Sequence, residues 1–324
     1  MSMPITVSLI IPSFNRGSLI GETLDSALAQ TVPFHEIIVV DDGSTDNTQE
    51  VLAGYRDRIK VLTLSRNGVQ AARNAGAAIA TGDYITLCDS DDLLTPQFLS
   101  TFVECLRIHP DCEGYYSNFV TFVGDTTQAD KFSLAPAGHF DGARVDGDFL
   151  SEIPDLYVRT VAFQPLFISG CIVSRRLYQA LGGFDTKFNN VGGEDWEFTL
   201  RVISAGKVVV CKQPTVRIRK HALNQSGDPI RQVRGTAHIL DYALDHHPVA
   251  ARYREAIVRS IEERRVSVFH VAFGRGNFPV AQEMLQLLRK RPTDLKFRVK
   301  SLILRLPAKL RDLFWSMSQR GATR

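Results

Sequence analysis

The sequence contains no CxxC pair: its five cysteines, Cys88, Cys105, Cys112, Cys171 and Cys211, are irregularly spaced. Such spacing offers neither a zinc-ligand pattern nor a disulfide framework, and it fits buried thiols in a reducing compartment. No apolar run approaches the roughly 18 uninterrupted residues a membrane-spanning helix needs. Met1 to Ile11 lacks a basic leader ahead of a long apolar stretch, and Pro12 to Arg16 ends the apolar run after a few residues. No targeting signal is read there, so a cytoplasmic location is expected. Apolar residues make up 44% and charged residues 23% of the 324, the ordinary globular balance rather than disorder. That length holds one large α/β domain, or a domain of about 200–250 residues with an appendage.

Charge is also missing for most of the chain and then concentrated at one end. The net charge is only +3. Residues 291–324 carry nine Lys/Arg against Asp294 and Asp312, a local +7 that leaves −4 for everything before them. An anionic partner is implied for the tail alone. Nucleic acid is not favoured, because no reader motif accompanies the basic residues.

The first hundred residues alternate strand and helix signals. Val7–Ile11, Glu36–Val40, Val61–Leu64 and Asp83–Cys88 are short apolar runs; Leu19–Gln30, Thr48–Tyr55 and Val69–Ala80 have helical spacing. Continuous apolar strands separated by helices predict a parallel sheet covered on both faces. In such sheets ligands bind beyond the carboxyl ends of the strands. Three strands here end in polar clusters, Pro12-Ser-Phe-Asn-Arg16, Asp41-Asp42-Gly43-Ser44 and Asp89-Ser90-Asp91-Asp92, which should converge.

From Gly114 to Pro165 the pattern weakens, with strands expected around Tyr115–Val123. Val161–Ser174 reads as strand and loop, Arg175–Leu181 as a short helix, the segment after Gly193 as another, and Lys207–Gln213 as a strand. After Gly227 the signals are helical: Ile230–His246, Val249–Phe273, Pro279–Lys290 and Lys296–Arg311. The domain boundary is expected near Asn224–Pro229.

Several carboxylates at the end of one buried strand raise each other's pKa unless a cation compensates them. Mg²⁺ and Mn²⁺ take oxygen ligands and keep positions open for phosphate oxygens. The run Asp89-Ser90-Asp91-Asp92 therefore suits a metal bridging a diphosphate. A plainer reading makes Asp92 the cap of a helix opened by Leu93-Leu94-Thr95-Pro96, with Asp89 solvated; capping and ligation can coexist. Asp41–Asp46 could likewise be an ordinary turn followed by an N-cap.

Five ordered motifs decide between these readings. Ile10-Ile-Pro-Ser-Phe-Asn-Arg16, Ile38-Val-Val-Asp-Asp-Gly-Ser-Thr-Asp46, Arg73-Asn-Ala-Gly76, Asp89-Ser-Asp-Asp92 and Gly193-Glu-Asp-Trp-Glu-Phe198 follow the order seen in family 2 glycosyltransferases. The chain resembles that family over about residues 5–225. The resemblance implies a GT-A fold: an α/β architecture with a Rossmann-like mixed, mostly parallel sheet flanked by helices. Residues 1–226 would be the catalytic domain, with a nucleotide-sugar half over about 1–112 and an acceptor half over about 113–226. Residues 227–324 would form a helical C-terminal region ending in the basic amphipathic tail.

The resemblance also implies roles. Pro12, Phe14 and Asp42 would border the nucleoside base, and Asp41 would shape that pocket. Arg73 would lie near the diphosphate or order the nucleotide loop, although a solvated helix face or a structural ion pair would also explain it. Asp89, followed by Ser90, would approach the ribose, and Asp91 would ligate Mn²⁺ or Mg²⁺. Asp195 matches the base of an inverting transfer; alternatively Glu194 and Asp195 only stabilise a helix N-terminus. His221 would contact metal or diphosphate, or serve structure. Ser169 and Gly170 would line the donor-sugar pocket, since a glycine lets substrate approach the backbone, and Trp196 would either wall the acceptor pocket or fill the core.

The donor implied is a nucleotide-sugar, with UDP as its nucleotide, and the acceptor a glycan or lipid-linked saccharide. A nucleotidyltransferase would instead need a glycine-rich, basic phosphate loop after the first strand, which Pro12–Arg16 is not. A non-catalytic sugar-nucleotide or glycan-binding relative would not need both Asp91 and Asp195. For residues 291–324 two readings stand. Their apolar residues interleaved with cations suit an anionic membrane surface, at the inner face of the cell membrane. Equally, the apolar side could pack on the catalytic domain or on a second copy in a homo-oligomer. Pro307 argues against one straight helix there.

Overall fold

In the computed structural model, which describes residues 5–221 and 227–320, the chain forms two compact units. The first holds the residues up to Asn190 together with Glu194 and those that follow it through the last strand; the second holds Val191–Gly193 and the helices from Pro229 onward.

The first unit begins with β1 (Val7–Ser13), α1 (Ile20–Leu28), β2 (Glu36–Asp41), α2 (Thr48–Ala53), β3 (Lys60–Thr63), α3 (Val69–Ile79) and β4 (Tyr84–Leu87). A two-residue strand β5 (Leu93–Leu94) and α4 (Phe98–Ile108) come next. The hairpin β6 (Gly114–Val123) and β7 (Thr126–Asp130) precedes the short pair β8 (Arg144–Asp146) and β9 (Phe149–Ser151). The unit closes with α5 (Leu156–Ala162), β10 (Cys171–Ser174), α6 (Arg175–Ala180), α7 (Glu194–Ala205) and β11 (Val208–Arg219).

All strands join one sheet, with central order β3-β2-β1-β4-β10-β6-β11-β9-β8. β3, β2, β1 and β4 are mutually parallel, β6 and β11 are parallel, and β10 runs antiparallel between β4 and β6. The α/β class and the mixed sheet flanked by helices are as expected from the sequence. The cause is visible in β1 and β2. Leu9, Ile11, Ile37 and Val39 enter one core with Leu24 and Phe98, whereas Ile10, Ile38 and Val40 enter the other with Ala72 and Phe198. A strand buried on both faces needs an unbroken apolar run, because successive side chains point to opposite sides. Helix α3 lies very close to the sheet at Gly76, where a Cβ would be 2.5 Å from Ile10 Cγ2.

Three local expectations need correction. Asp92 does not cap a helix: Leu93–Leu94 pair with β11 as a strand, and α4 starts only at Phe98. Burial of Leu94 beside β11 outweighs the local helix-opening signal. The stretch Val161–Ser174 is strand only from Cys171, because α5 runs to Ala162. β11 extends to Arg219 rather than stopping at Gln213. Its register against β6 shifts on either side of Pro214, an irregularity that accommodates a residue with no N–H to donate.

The second unit contains α8 (Pro229–His246), α9 (Arg254–Gly274), α10 (Phe278–Leu287), α11 (Leu295–Leu304) and α12 (Ala308–Arg320). Asp228 accepts from Ile230 N at 3.0 Å, with Pro229 at the first turn, where a missing N–H costs nothing. Phe269, Phe273, Met284 and Phe297 form its core. Buried Arg265 donates to Asp241, to Glu262 and to the Leu287 carbonyl. The helix read as starting at Val249 begins with a 3-10 turn, Pro248–Tyr253. That read across Lys296–Arg311 breaks before Ala308, just after Pro307. Part of the expected boundary, residues 224–226, lies outside the described residues. No helix among the described residues is long and apolar enough to cross a membrane. All five cysteines are buried and unpaired.

Candidate active site

The carboxyl ends of β1, β2 and β4 are adjacent because the strands are in parallel register. Ser13 lies opposite Asp41, Ile10 lies opposite Leu87, and Asp42 N donates to Ser13 O at 2.8 Å. The three polar clusters therefore emerge side by side.

At the β2 end, Asp41 is buried and accepts from the Ser44 hydroxyl and the Gln49 amide. Asp42 accepts from Asn67 N at 2.6 Å and Gly68 N at 2.7 Å, so it anchors the loop leading into α3. Gly68 has φ +91°, and its missing Cβ leaves room for the Asn189 side chain, which ties the same loop from the other side. Pro12 is buried within β1, and Phe14 is partly exposed under the Arg66 guanidinium, 4.9 Å from its ring centroid. Asn15, at φ 51°, accepts from Thr45 N at 2.8 Å and so joins the first two clusters.

At the β4 end, the four residues have separate partners. Asp89 accepts from Arg73 Nη2 at 2.7 Å. Ser90 is buried. Asp91 Oδ2 faces His221 Nε2 at 3.0 Å and Arg16 Nε at 3.6 Å. Asp92 accepts from Ser169 Oγ at 2.7 Å and Arg219 N at 3.1 Å. Burial, reinforced by the charges of Asp89 and Asp91, raises the Asp92 pKa well above the carboxylate range. Asp92 therefore holds the strand end to β11, whereas Asp91 faces His221 and Arg16.

Arg73 joins this end to Asp195. It is buried, lies 5.1 Å from the Phe184 ring centroid, and has an Nε without a hydrogen-bond partner. Burial opposes its charge, but Asp89, Asp195 and Glu194 outweigh that and raise its pKa. Asp195 opens α7 with Glu194 and keeps partial exposure. Burial pushes its pKa up to about 6; Arg73 opposes this rise, while Glu194 and Asp89 add to it. A carboxylate near that value is ionised at neutral pH yet basic enough to take a proton from a hydroxyl. Glu197, one turn on, is used structurally: Arg201 grips it at 2.6 Å and donates to the carbonyls of Leu181 and Gly183.

Arg73→Met tests this linkage. Removing the cation that holds Asp195 down should move the acid limb of activity to higher pH. Stability should fall by on the order of 3 kcal/mol, because a buried ion pair is left half-made. A pH profile and a thermal melt read the two effects separately, and an unmoved acid limb would reject the linkage.

Trp196 takes the core setting of the two expected for it, and Gly170 sits differently from its expected setting. Trp196 is buried, 1% exposed, and so fills the interior. At Gly170 the space a Cβ would need is occupied by the Ser117 carbonyl at 3.0 Å. The glycine is thus explained by packing against β6, without invoking a sugar. Ser169, read from the sequence as lining a donor-sugar pocket, donates instead to Asp92. Arg16, Arg219, Arg66 and Asn189 are contacts that motif reading assigns no role, and of these only Arg16 lies inside a motif.

Among the described residues no group of three His, Cys, Asp or Glu side chains is arranged to hold a metal. Ions that keep most of their shell for phosphate oxygens and water use one or two carboxylates, and Asp91, 3.0 Å from His221 Nε2, is a carboxylate of this strand end that would serve one.

A family model described as Glycosyl transferase family 2 matches residues 8–145. The chain is 30% identical over 230 residues to the uncharacterized glycosyltransferase YwdF of Bacillus subtilis (strain 168), covering 68% of this chain and 78% of that protein. It is 37% identical over 134 residues to the putative teichuronic acid biosynthesis glycosyltransferase TuaG of the same organism, covering 40% of this chain. That match spans only 53% of TuaG's own length. Among solved structures, S. aureus TarS 1-349 in complex with UDP-GlcNAc superposes with a TM-score of 0.62 at 18% identity. It covers 94% of this chain and 83% of that one, a likeness of fold.

Proposed function

The chain belongs to glycosyltransferase family 2, and from that premise we propose that it moves a sugar from a UDP-sugar to a hydroxyl of a glycan or lipid-linked saccharide, with inversion. The observation that carries this reading is the pairing of two acidic positions through one buried cation. Arg73 binds Asp89 at the nucleotide end and lowers the pKa of Asp195 at the other. UDP as the nucleotide is supported by the resemblance and by the UDP-GlcNAc complex of TarS.

Asp195 takes the acceptor hydroxyl proton as that oxygen attacks the anomeric carbon. The new C–O bond forms as the bond to the diphosphate oxygen breaks, and UDP departs with the bonding electrons. Pro12 and Phe14 flank the base, with Asp41 and Asp42 fixing the loops around it. Asp89 approaches the ribose, with Ser90 beside it. Asp91, with His221, would hold Mn²⁺ or Mg²⁺, which when bound neutralises charge on the leaving diphosphate. Glu194 is assigned to the acceptor surroundings. We assign catalysis to residues 1–226 and a helical accessory role to 227–324.

A panel of sugar nucleotides, screened by thermal melting with and without Mn²⁺ or Mg²⁺, tests the assignment. Binding to the folded state alone must raise the melting temperature. UDP-sugars should do so with metal present. No shift with any sugar nucleotide would reject the proposal, and pyrophosphate release from a nucleoside triphosphate would favour a nucleotidyltransferase instead.

A further inference from the structure

The last two helices of the second unit carry apolar residues on their outer as well as their inner faces. On α11, Phe297, Ser301 and Leu304 are buried, whereas Leu295, Val299 and Leu302 are 76%, 43% and 62% exposed. On α12, Trp315 packs inward: its ring meets Phe278, and its Nε1 donates to Phe273 O at 2.7 Å. Arg311 also packs on Phe278, 4.2 Å from its ring centroid. The outward residues Leu310, Leu313, Phe314 and Met317 are 48%, 55%, 45% and 58% exposed.

The spacing shows that these exposures are not scattered. Residues 295, 299 and 302 fall on one helical stripe, and so do 310, 313, 314 and 317. Isolated exposed apolar residues need no explanation, but stripes on successive helices do. Exposed cations flank them: Lys296 and Arg298 on α11, Arg305 at its end and Lys309 on α12. None of these four has an ion-pair partner among the described residues. By contrast the inner cations are occupied, Lys300 against the Phe273 ring and Arg311 against Phe278 and Asp312.

We propose that the outer faces of α11 and α12 dock on an anionic lipid surface, inserting the aliphatic residues and Phe314 at the headgroup boundary while the flanking cations meet lipid phosphates. Charge complementarity selects this occupant. A second copy seated symmetrically on the same face would bring like cations against one another. A neutral apolar partner would leave Lys296, Arg298, Arg305 and Lys309 uncompensated. Apolar stripes edged by cations are what anionic bilayers hold in the interfacial plane. This inference goes beyond the proposed transfer and does not depend on it.

Co-sedimentation of the full chain with vesicles tests it. Binding is expected to phosphatidylglycerol–phosphatidylcholine vesicles but not to pure phosphatidylcholine, and it should weaken sharply at about 1 M salt, where exposed charges are screened. The pair Leu313→Asp and Phe314→Asp should cut partitioning at least about tenfold, and Arg305→Glu with Lys309→Glu about as much. These side chains are exposed, so melting temperatures should stay at the wild-type value; Leu302→Asp, on the other helix, repeats the measurement independently. Equal binding to neutral and anionic vesicles, no binding to either, or unaffected variants would each overturn the proposal. So would a concentration-dependent dimer abolished by Leu313→Asp without vesicle binding, which would assign the face to a second copy.

Discussion

Asp195→Asn should lower sugar transfer by about three orders of magnitude, within the usual contribution of a positioned general base. The variant keeps the size and shape of the side chain and removes its charge together with its ability to accept the acceptor proton. Folding should not suffer. The Asp195 pKa is raised in the folded chain, to about 6, so its ionised form is disfavoured by folding at neutral pH. Its contribution to stability grows as pH falls through that value toward the unfolded carboxyl range, and is absent above it. A neutral asparagine should therefore leave the melting temperature unchanged or raise it. The same pKa sets the pH profile: wild-type kcat/KM should fall tenfold per pH unit below about 6, as the base becomes protonated. Initial rates from pH 5 to 8, with melts alongside, check both. Transfer by Asp195→Asn at a tenth of the wild-type rate or more would remove Asp195 from its assigned role.

Asp91→Ala should be the second severe loss, about two to three orders of magnitude in donor hydrolysis and in transfer. Asp91 is the β4-end carboxylate set against His221 and Arg16, whereas Arg73 takes Asp89 and the Ser169–Arg219 pair takes Asp92. Its removal should also abolish any stimulation by added Mn²⁺ or Mg²⁺. His221→Ala, which leaves the carboxylate, should cost less and mainly weaken the metal concentration dependence. Activity titrations against each cation distinguish the two variants. If Asp91→Ala keeps the wild-type metal response, the cation is held elsewhere. The converse control is Asp92→Asn, expected to lower the melting temperature more than the rate, because Asp92 is tied to Ser169 and Arg219 inside the fold.

The amino-acid order alone was enough to place strands, helices and strand-end acids in the first hundred residues. An apolar run and the turn residues that end it are local properties, written in adjacent positions. Sequence was a poorer guide where distant partners decide. Leu93–Leu94 became a strand because β11 lies beside them, and β11 continued past Pro214 because β6 does. Gly170 looked like a point of substrate approach, but the approach it permits is that of Ser117. The exposed stripes of the last helices were visible as interleaved cations and aliphatics, yet which face pointed outward was not.

What the sequence determined by itself is the inventory: acids at the ends of three strands, a Glu-Asp pair at a helix start, and a basic amphipathic tail. Only the tertiary structure divided those acids into roles. It turned Asp42 and Asp92 into anchors, left Asp91 facing His221, and set Asp195 within the field of an arginine more than a hundred residues earlier. The reason is electrostatic. A charge's worth depends on the water removed from it and on the charges near it, and both are set by neighbours in space rather than along the chain.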